Sequence, residues 1–333
     1  MSFTSALARR MLPSRESGGP VYRCLLAVMS ICAAASVGAQ ELSACAEIDD
    51  DAARLRCYDE VSGRAQHTPP QDEAPPQLRY RWEQHLLNDA TREPFTLELY
   101  QPSYVLASHL AAFNHAPYRA VDPEGRLSRN ELKLSFSLQT KLIDDLFGRD
   151  GDVWLGYTQT SYWQVFNSAI SSPFRETDYN PEARIAFLTD WQLPAVTLRG
   201  VNVGIMHDSN GQAGTLSRSW NRVFCDFQLT HGSLIVSVRP WVRVFEIDDN
   251  PDIEDYYGHF DVRASWERGN QLFSVTMRNP FARHFGAQLN WSLPITGRLR
   301  GLLQWYYGYS ENLIDYDHKN NRVGIGLLMS DWL

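Results

Sequence analysis

Three side chains suited to nucleophilic catalysis lie close together in the sequence: His207, Ser209 and Asn221. A serine hydroxyl is a weak nucleophile until a base takes its proton. A histidine supplies that base, and a third group fixes the tautomer of the imidazole and supports the charge it acquires. Asn221 can accept a hydrogen bond from the ring, as asparagine does in papain-like enzymes. A neutral amide supports an imidazolium less than a carboxylate does, so such a triad needs further help at the oxyanion.

The elements that would position these groups are strands. Over residues 196–209, Val201, Val203 and Ile205 share one face, and Asn202 and Gly204 share the other. Side chains two apart on a strand point the same way, so His207 and Ser209 continue the valine row. After the loop 210–219, Val223, Cys225, Phe227 and Leu229 form an apolar row to which Asn221 belongs. All three groups then lie at the loop end of one hairpin, on its apolar face. Taken singly, a His or Ser near a strand end is an ordinary interface residue, and an Asn after a loop is turn chemistry. Taken together on one face, they favour catalysis. Cys225 is a wall position, not a nucleophile, because it sits in the apolar row.

The same period of two continues from about residue 95 to the end. Leu132, Leu134, Phe136 and Leu138 alternate with Glu131, Lys133, Ser135 and Ser137; Phe260, Val262, Ala264 and Trp266 alternate with Asp261, Arg263 and Ser265. A soluble sandwich and a membrane barrel share this alternation. Three features select the barrel. A secretory leader precedes it. Long connections (167–180, 210–219, 246–256, 310–320) alternate with short ones (191–195, 231–232, 294–297), as external loops alternate with periplasmic turns. The last strand runs to the chain end at Trp332-Leu333. The expected fold is all-β: an antiparallel 12-stranded transmembrane β-barrel with a short N-terminal periplasmic extension. Tyr162, Trp163, Trp241, Tyr256, Tyr257, Trp291, Trp305 and Tyr306 are expected in interface girdles. Arg239 and Arg243, opposite Asp261 and Arg263, are expected to fill the lumen.

The leader spans 1–39. Arg9, Arg10, Arg15 and Arg23 precede or border an apolar core at 24–35, and Val37-Gly38-Ala39 offers a small-residue cleavage pattern. Its loss removes four Arg and one Glu and takes the formal net charge from −8 to −11. So acidic a chain is a poor partner for nucleic acid. Cys45 and Cys57 remain as a pair in an oxidising compartment and are expected to form a disulfide. They staple a small element at 40–61, which a Pro- and Gln-rich linker (62–78) separates from a barrel domain at 79–333.

His207-Asp208-Ser209-Asn210-Gly211 with Ser217-Arg218-Ser219-Trp220-Asn221-Arg222 resembles the signature of the outer-membrane phospholipase A family. The resemblance extends through Ser171-Ser172-Pro173-Phe174-Arg175-Glu176-Thr177, Pro240-Trp241, Asp248-Asp249-Asn250-Pro251-Asp252-Ile253 and Leu313-Ile314-Asp315-Tyr316. It implies hydrolysis of acyl esters of membrane phospholipids and lysophospholipids, at either ester position, with Ca2+ as cofactor and activation by formation of a homodimer. Ser209 is then the nucleophile, His207 the base, Asn221 its orienter and Gly211 an oxyanion donor. The resemblance also assigns calcium to the Ser217 hydroxyl and the Gln212 carbonyl, with Ser171 supplied by a second subunit. Gly214 stands where relatives can have an aspartate that serves a second calcium site. Gln159 shares an outward row with Leu155 and Tyr157, and a subunit seam would give its amide a partner. Two readings compete: a non-enzymatic porin, which needs an open lumen, and a soluble serine esterase, which lacks its Gly-x-Ser-x-Gly turn here.

Overall fold

The computed structural model describes residues 45–48, 50, 54, 57–58, 82, 86, 89–119, 122–146, 148, 151–246 and 250–330. The expected leader, the linker, Asp248-Asp249 and the terminal Trp332-Leu333 lie outside the described residues. The chain divides into Met1–Glu73 and Ala74–Leu333, a boundary that falls within the expected linker. In the first unit a disulfide joins Cys45 to Cys57, and the Arg54 guanidinium donates to the Ile48 carbonyl at 3.0 Å.

The second unit is one antiparallel sheet closed on itself. A two-residue strand β1 (Glu98–Leu99) pairs with β3. The barrel strands are β2 (Ser103–Leu110), β3 (Asn130–Leu146), β4 (Gly151–Trp163), β5 (Phe174–Gln192), β6 (Thr197–Ser209) and β7 (Ser219–His231). They continue as β8 (Leu234–Val244), β9 (Phe260–Arg268), β10 (Gln271–Arg278), β11 (Gly286–Thr296), β12 (Leu299–Gly308) and β13 (Asn320–Ser330). Each pairs with its sequence neighbour, and β13 returns to β2, which closes the twelve-stranded barrel. Closure leaves no unpaired edge, which a sheet in lipid requires. The long and short connections alternate as expected. At the short end, turns such as 232–233 and 269–270 place Gly232 and Gly269 at positive φ, which other residues rarely adopt. One expected loop is shorter than the sequence reading had it: β5 begins at Phe174, inside the stretch read as loop to 180.

The barrel is apolar outside and polar within. Phe136, Leu155, Ile205, Leu303, Val323 and Ile325 are exposed on its outer wall. Lys133, Glu131, Arg175, Arg322 and Glu311 are buried inside, linked by ion pairs: Arg175–Glu131 at 2.5 Å, Arg322–Glu131 at 3.0 Å, Arg322–Glu311 at 2.8 Å and Lys133–Glu311 at 3.2 Å. This network crosses the lumen near the long-loop end. At the other end Trp82 packs on the inward-facing Ile235 and Leu272. Two cavities of about 210 and 390 Å3 remain between these closures. The lumen is obstructed at both ends, which counts against a porin.

One expectation about side-chain direction is corrected. Trp163, Trp291 and Trp305 are partly or well exposed, but Tyr162, Trp241, Tyr257 and Tyr306 are buried. Tyr162 has the parity of the cavity-lining Thr158 and Thr160, so it points inward and lies under the Arg175 and Arg322 guanidinium groups. These aromatics give buried cations a π face in place of a lipid girdle. The ladder sets Arg239 opposite Asp261, and Arg243 lies on the same strand. Arg243 donates to the carbonyls of Asn250 and Glu246, while Arg239 binds Glu182 at 3.2 Å and Asp226 at 3.1 Å.

Candidate active site

Strands β6 and β7 pair so that His207 lies opposite Asn221, Ser209 opposite Ser219, Ile205 opposite Val223 and Val203 opposite Cys225. Directly paired residues share a face, so the whole outward row reads Val203, Ile205, His207 and Ser209, as the alternation predicts. Ile205 is 60% exposed on this wall. The His207 ring is bonded through Nδ1 to Asn221 Oδ1 at 2.8 Å. With the asparagine oxygen accepting, Nδ1 carries the proton and Nε2 is left to act as base. Ser209 follows His207 by two residues on the same row. Among the described residues no hydrogen bond holds its hydroxyl, and such contacts often tighten only when substrate is bound.

Between these outward groups the chain is anchored from inside. Asp208 points into the lumen, where it accepts from Asn180 Nδ2 at 2.6 Å and pairs with Arg222. Arg222 in turn lies over the Trp220 and Trp241 rings, at 4.2 and 5.0 Å from their centroids. Pro181 bears on the same point. The β5–β6 ladder runs from Tyr179–Ser209 to Glu182–Met206 and skips the two pairs between, Asn180–Asp208 and Pro181–His207. A proline has no N–H to donate there. The His207 carbonyl instead lies 3.4 Å from Asn180 Nδ2.

Gly211 opens the following loop at φ +62°, and a Cβ there would come within 3.2 Å of the Tyr179 ring. A backbone conformation of this kind suits glycine. Gln212, Gly214 and Ser217 lie on the same loop, and the Ser217 N–H donates to the Gly214 carbonyl. Ser171 is exposed on the β4–β5 loop at the same end of the barrel, at φ +60°. Gln159 falls in one transverse outward row with Ser209, through Gln159–Tyr179 and Tyr179–Ser209. Two strand spacings put them ~10 Å apart. The amide of Gln159 already has partners in its own chain: it accepts from the Tyr157 hydroxyl at 2.8 Å and donates to Ser161 Oγ at 3.1 Å. The need for a partner, from which a seam was expected, is therefore largely met without one.

Calcium fits the chemistry of the proposed donors. Ser217 and Ser171 offer hydroxyl oxygens and Gln212 a carbonyl, and among the described residues none of these oxygens takes a hydrogen bond. Hard oxygens suit this ion. No cluster of three His, Cys, Asp or Glu side chains suited to a metal occurs among the described residues. Asn210, part of the signature but without a role assigned from it, also belongs to the site. It is 3% exposed and holds the loop by several bonds at once. Its place in an Asn-Gly pair was the available signal.

Residues 78–329 match the family model for phospholipase A1. A phospholipase A1 of Klebsiella pneumoniae is 38% identical over 239 residues, 72% of this chain and 84% of its own. The Escherichia coli phospholipase A1 is 37% identical over the same share of this chain and 83% of its own. The solved outer membrane phospholipase A of Escherichia coli superimposes with a TM-score of 0.71 at 36% identity, over 74% of this chain and 98% of that one. A form of it described as an active-site mutant has an asparagine replaced by alanine. The Salmonella typhi outer membrane phospholipase, solved as a dimer with bound calcium, gives the same TM-score at 34% identity and the same coverage. The chain belongs to the phospholipase A1 family, ester hydrolases built as β-barrels of the outer membrane.

Proposed function

We propose that this barrel hydrolyses phospholipid and lysophospholipid acyl esters, at either ester position, with a Ser209-His207-Asn221 triad on its lipid-facing wall, in a calcium-dependent homodimer. The observation that carries this reading is the 2.8 Å bond from the His207 ring to Asn221, on the same outward row as Ser209. Ser209 Oγ attacks the acyl carbonyl while His207 Nε2 takes its proton. The N–H of Gly211 donates to the oxygen on which negative charge develops. The tetrahedral centre collapses with cleavage of the bond to the glycerol oxygen, which leaves with the proton from His207. A water then attacks the acyl-serine ester with His207 again as base. The fatty acid departs and the Ser209 hydroxyl is restored. Asn221 holds the ring in register throughout and supports its charge.

Calcium would be held by Ser217, the Gln212 carbonyl and Ser171 of the partner subunit, and when bound it supplies added positive charge near the oxyanion. The dimer with bound calcium solved for the Salmonella typhi relative supports this arrangement. The asparagine changed in the Escherichia coli active-site mutant supports the role of Asn221. A ligand set split between subunits leaves the monomer idle, which protects the host membrane. Fatty-acid release by purified wild type and Ser209→Ala, each with calcium or excess chelator, tests the reading. Only wild type with calcium should be active. Hydrolysis by Ser209→Ala at the wild-type rate defeats the triad, and undiminished activity in chelator defeats the calcium requirement.

A further inference from the structure

The long loop 309–319 does not project into solvent. Ser310, Asn312, Leu313, Ile314 and Asp315 are all 2% exposed or less. The loop folds into the barrel mouth and is tied to the wall by several bonds. The Leu313 N–H donates to Asp178 Oδ1 at 3.1 Å, and Asp315 accepts from Arg175 at 3.2 Å and from Asn114 at 3.1 Å. The Tyr316 hydroxyl donates to Asp252 at 2.5 Å; burial, and then Asp252, push its pKa up, so it stays a donor.

One of these ties meets the catalytic loop. The Ile314 N–H donates to Glu176 Oε1 at 3.2 Å, and Asn210 Nδ2 donates to the same oxygen at 3.1 Å. Glu176 is 1% exposed. The second hydrogen of the Asn210 amide goes to the Leu216 carbonyl at 2.8 Å. With both hydrogens committed, the amide cannot rotate, and Oδ1 must face the N–H groups of Gln212 (3.3 Å) and Arg218 (3.0 Å). Those two residues flank the rest of the loop: Gln212 follows Gly211, and Arg218 follows Ser217. An Asx turn alone would need only the contacts within the loop. The bond to Glu176 reaches another strand and, through it, another loop. A second contact has the Arg218 guanidinium 5.8 Å from the Tyr316 ring centroid.

We propose that the inward-folded loop 309–319 sets the geometry of the catalytic loop through the shared acceptor Glu176, with Asn210 as the positioning residue on which it acts. This rests on the reading of Ser209, Gly211, Gln212 and Ser217 given above. Asn210 touches no reacting atom. It fixes where the Gly211 donor and the calcium oxygens of Gln212 and Ser217 stand. Displacements of about 1 Å at such groups cost up to ~100-fold in rate.

The test uses full-length Glu176→Ala, Glu176→Gln, Asn210→Ala and the Glu176→Ala/Asn210→Ala double variant. Folding is checked by heat-modifiable gel mobility. Activity is read as kcat and KM separately, and calcium need as the concentration giving half-maximal dimer crosslinking, measured in a Ser209→Ala background so that turnover plays no part. Glu176→Ala should lower kcat on the order of tenfold, leave KM within about twofold, and raise the calcium concentration for crosslinking severalfold. Glu176→Gln keeps an acceptor oxygen and should return both readouts to near the wild-type values. The double variant should be no worse than Asn210→Ala, since both act on one contact. A wild-type kcat and calcium requirement in Glu176→Ala, or effects that multiply in the double variant, overturns the proposal. Should Glu176→Ala not assemble, Asn210→Ala alone carries the same expectation, because it removes the amide that donates to Glu176. Wild-type behaviour there overturns it equally. Ser209→Ala separates the two readings: if it alone is inactive and the Glu176 variants are unaffected, the triad stands and the relay falls.

Discussion

Replacing Asn221 by alanine should slow this enzyme without silencing it. The structure gives Asn221 one bond to His207, at 2.8 Å, from a neutral oxygen. In the ground state that bond joins two neutral groups and is worth ~0.5–1.5 kcal/mol net. In the transition state the ring is charged, and a bond to a charged group is worth ~1.5–3 kcal/mol. Only the difference, together with lost ring orientation, enters the barrier. A sum of roughly 1–2.5 kcal/mol corresponds to about a 5- to 70-fold fall in kcat. Ser209→Ala loses the nucleophile itself and should fall by ~10,000-fold or more. Fatty-acid release from detergent-dispersed phospholipid at saturating calcium, with kcat and KM resolved, makes the comparison. Asn221→Asp, which keeps an acceptor at the same point, should exceed Asn221→Ala. Two results refute the reasoning: Asn221→Ala as inactive as Ser209→Ala, or Asn221→Ala at the full wild-type rate.

Calcium removal should abolish hydrolysis and dimer crosslinking together. Because the proposed donors include no carboxylate, titration should give half-saturation in roughly the 0.1–1 mM range of weakly charged sites. Gly211→Ala forces a side chain into φ +62° against the Tyr179 ring and should cost ~1–2 kcal/mol locally; a kcat unchanged from wild type would show that Gly211 does not set the oxyanion donor. Arg175→Ala leaves buried Glu131 and Asp315 short of a cation, and removing one partner of a buried pair costs ~3–5 kcal/mol. The variant should lose its folded gel mobility at a markedly lower temperature, and an unchanged transition would count against the network as a strut.

The barrel was legible in the sequence because its alternation is uninterrupted from strand to strand, and so was the shared outward face of His207, Ser209 and Asn221, because they have the same parity. The girdle was misread where parity was ignored. Tyr162 follows Ser161 and precedes Trp163, so it must face the other way from the wall residues, and its burial follows from the same rule that placed His207. Other features have no signal within a single strand. Arg175 meets Glu131 across 44 positions and Asp315 across 140. Such pairs depend on which strands close the barrel and with what offset, and composition does not encode that. Likewise Asn210 advertises a turn, but its acceptor, Glu176, lies on β5, at a position whose charge alone says nothing about a loop.

The alternation of strand β6 therefore has two uses at the site. His207 and Ser209 face lipid, while Asp208 and Asn210, one step out of phase, reach inward to Arg222, Asn180 and Glu176. On β7, Asn221 stands between Trp220 and Arg222, both buried in the lumen. Each outward group that would do chemistry is thus flanked by neighbours fixed from within. A wall of this kind can meet a substrate in the membrane plane, where no pocket encloses the reacting groups, because the polar lumen supplies the rigidity that an enclosing cleft gives a soluble enzyme. It also explains why the lumen is obstructed by ion pairs and aromatic rings in place of an open channel. Interior packing that would block conduction in a porin is here what holds an exterior site in register.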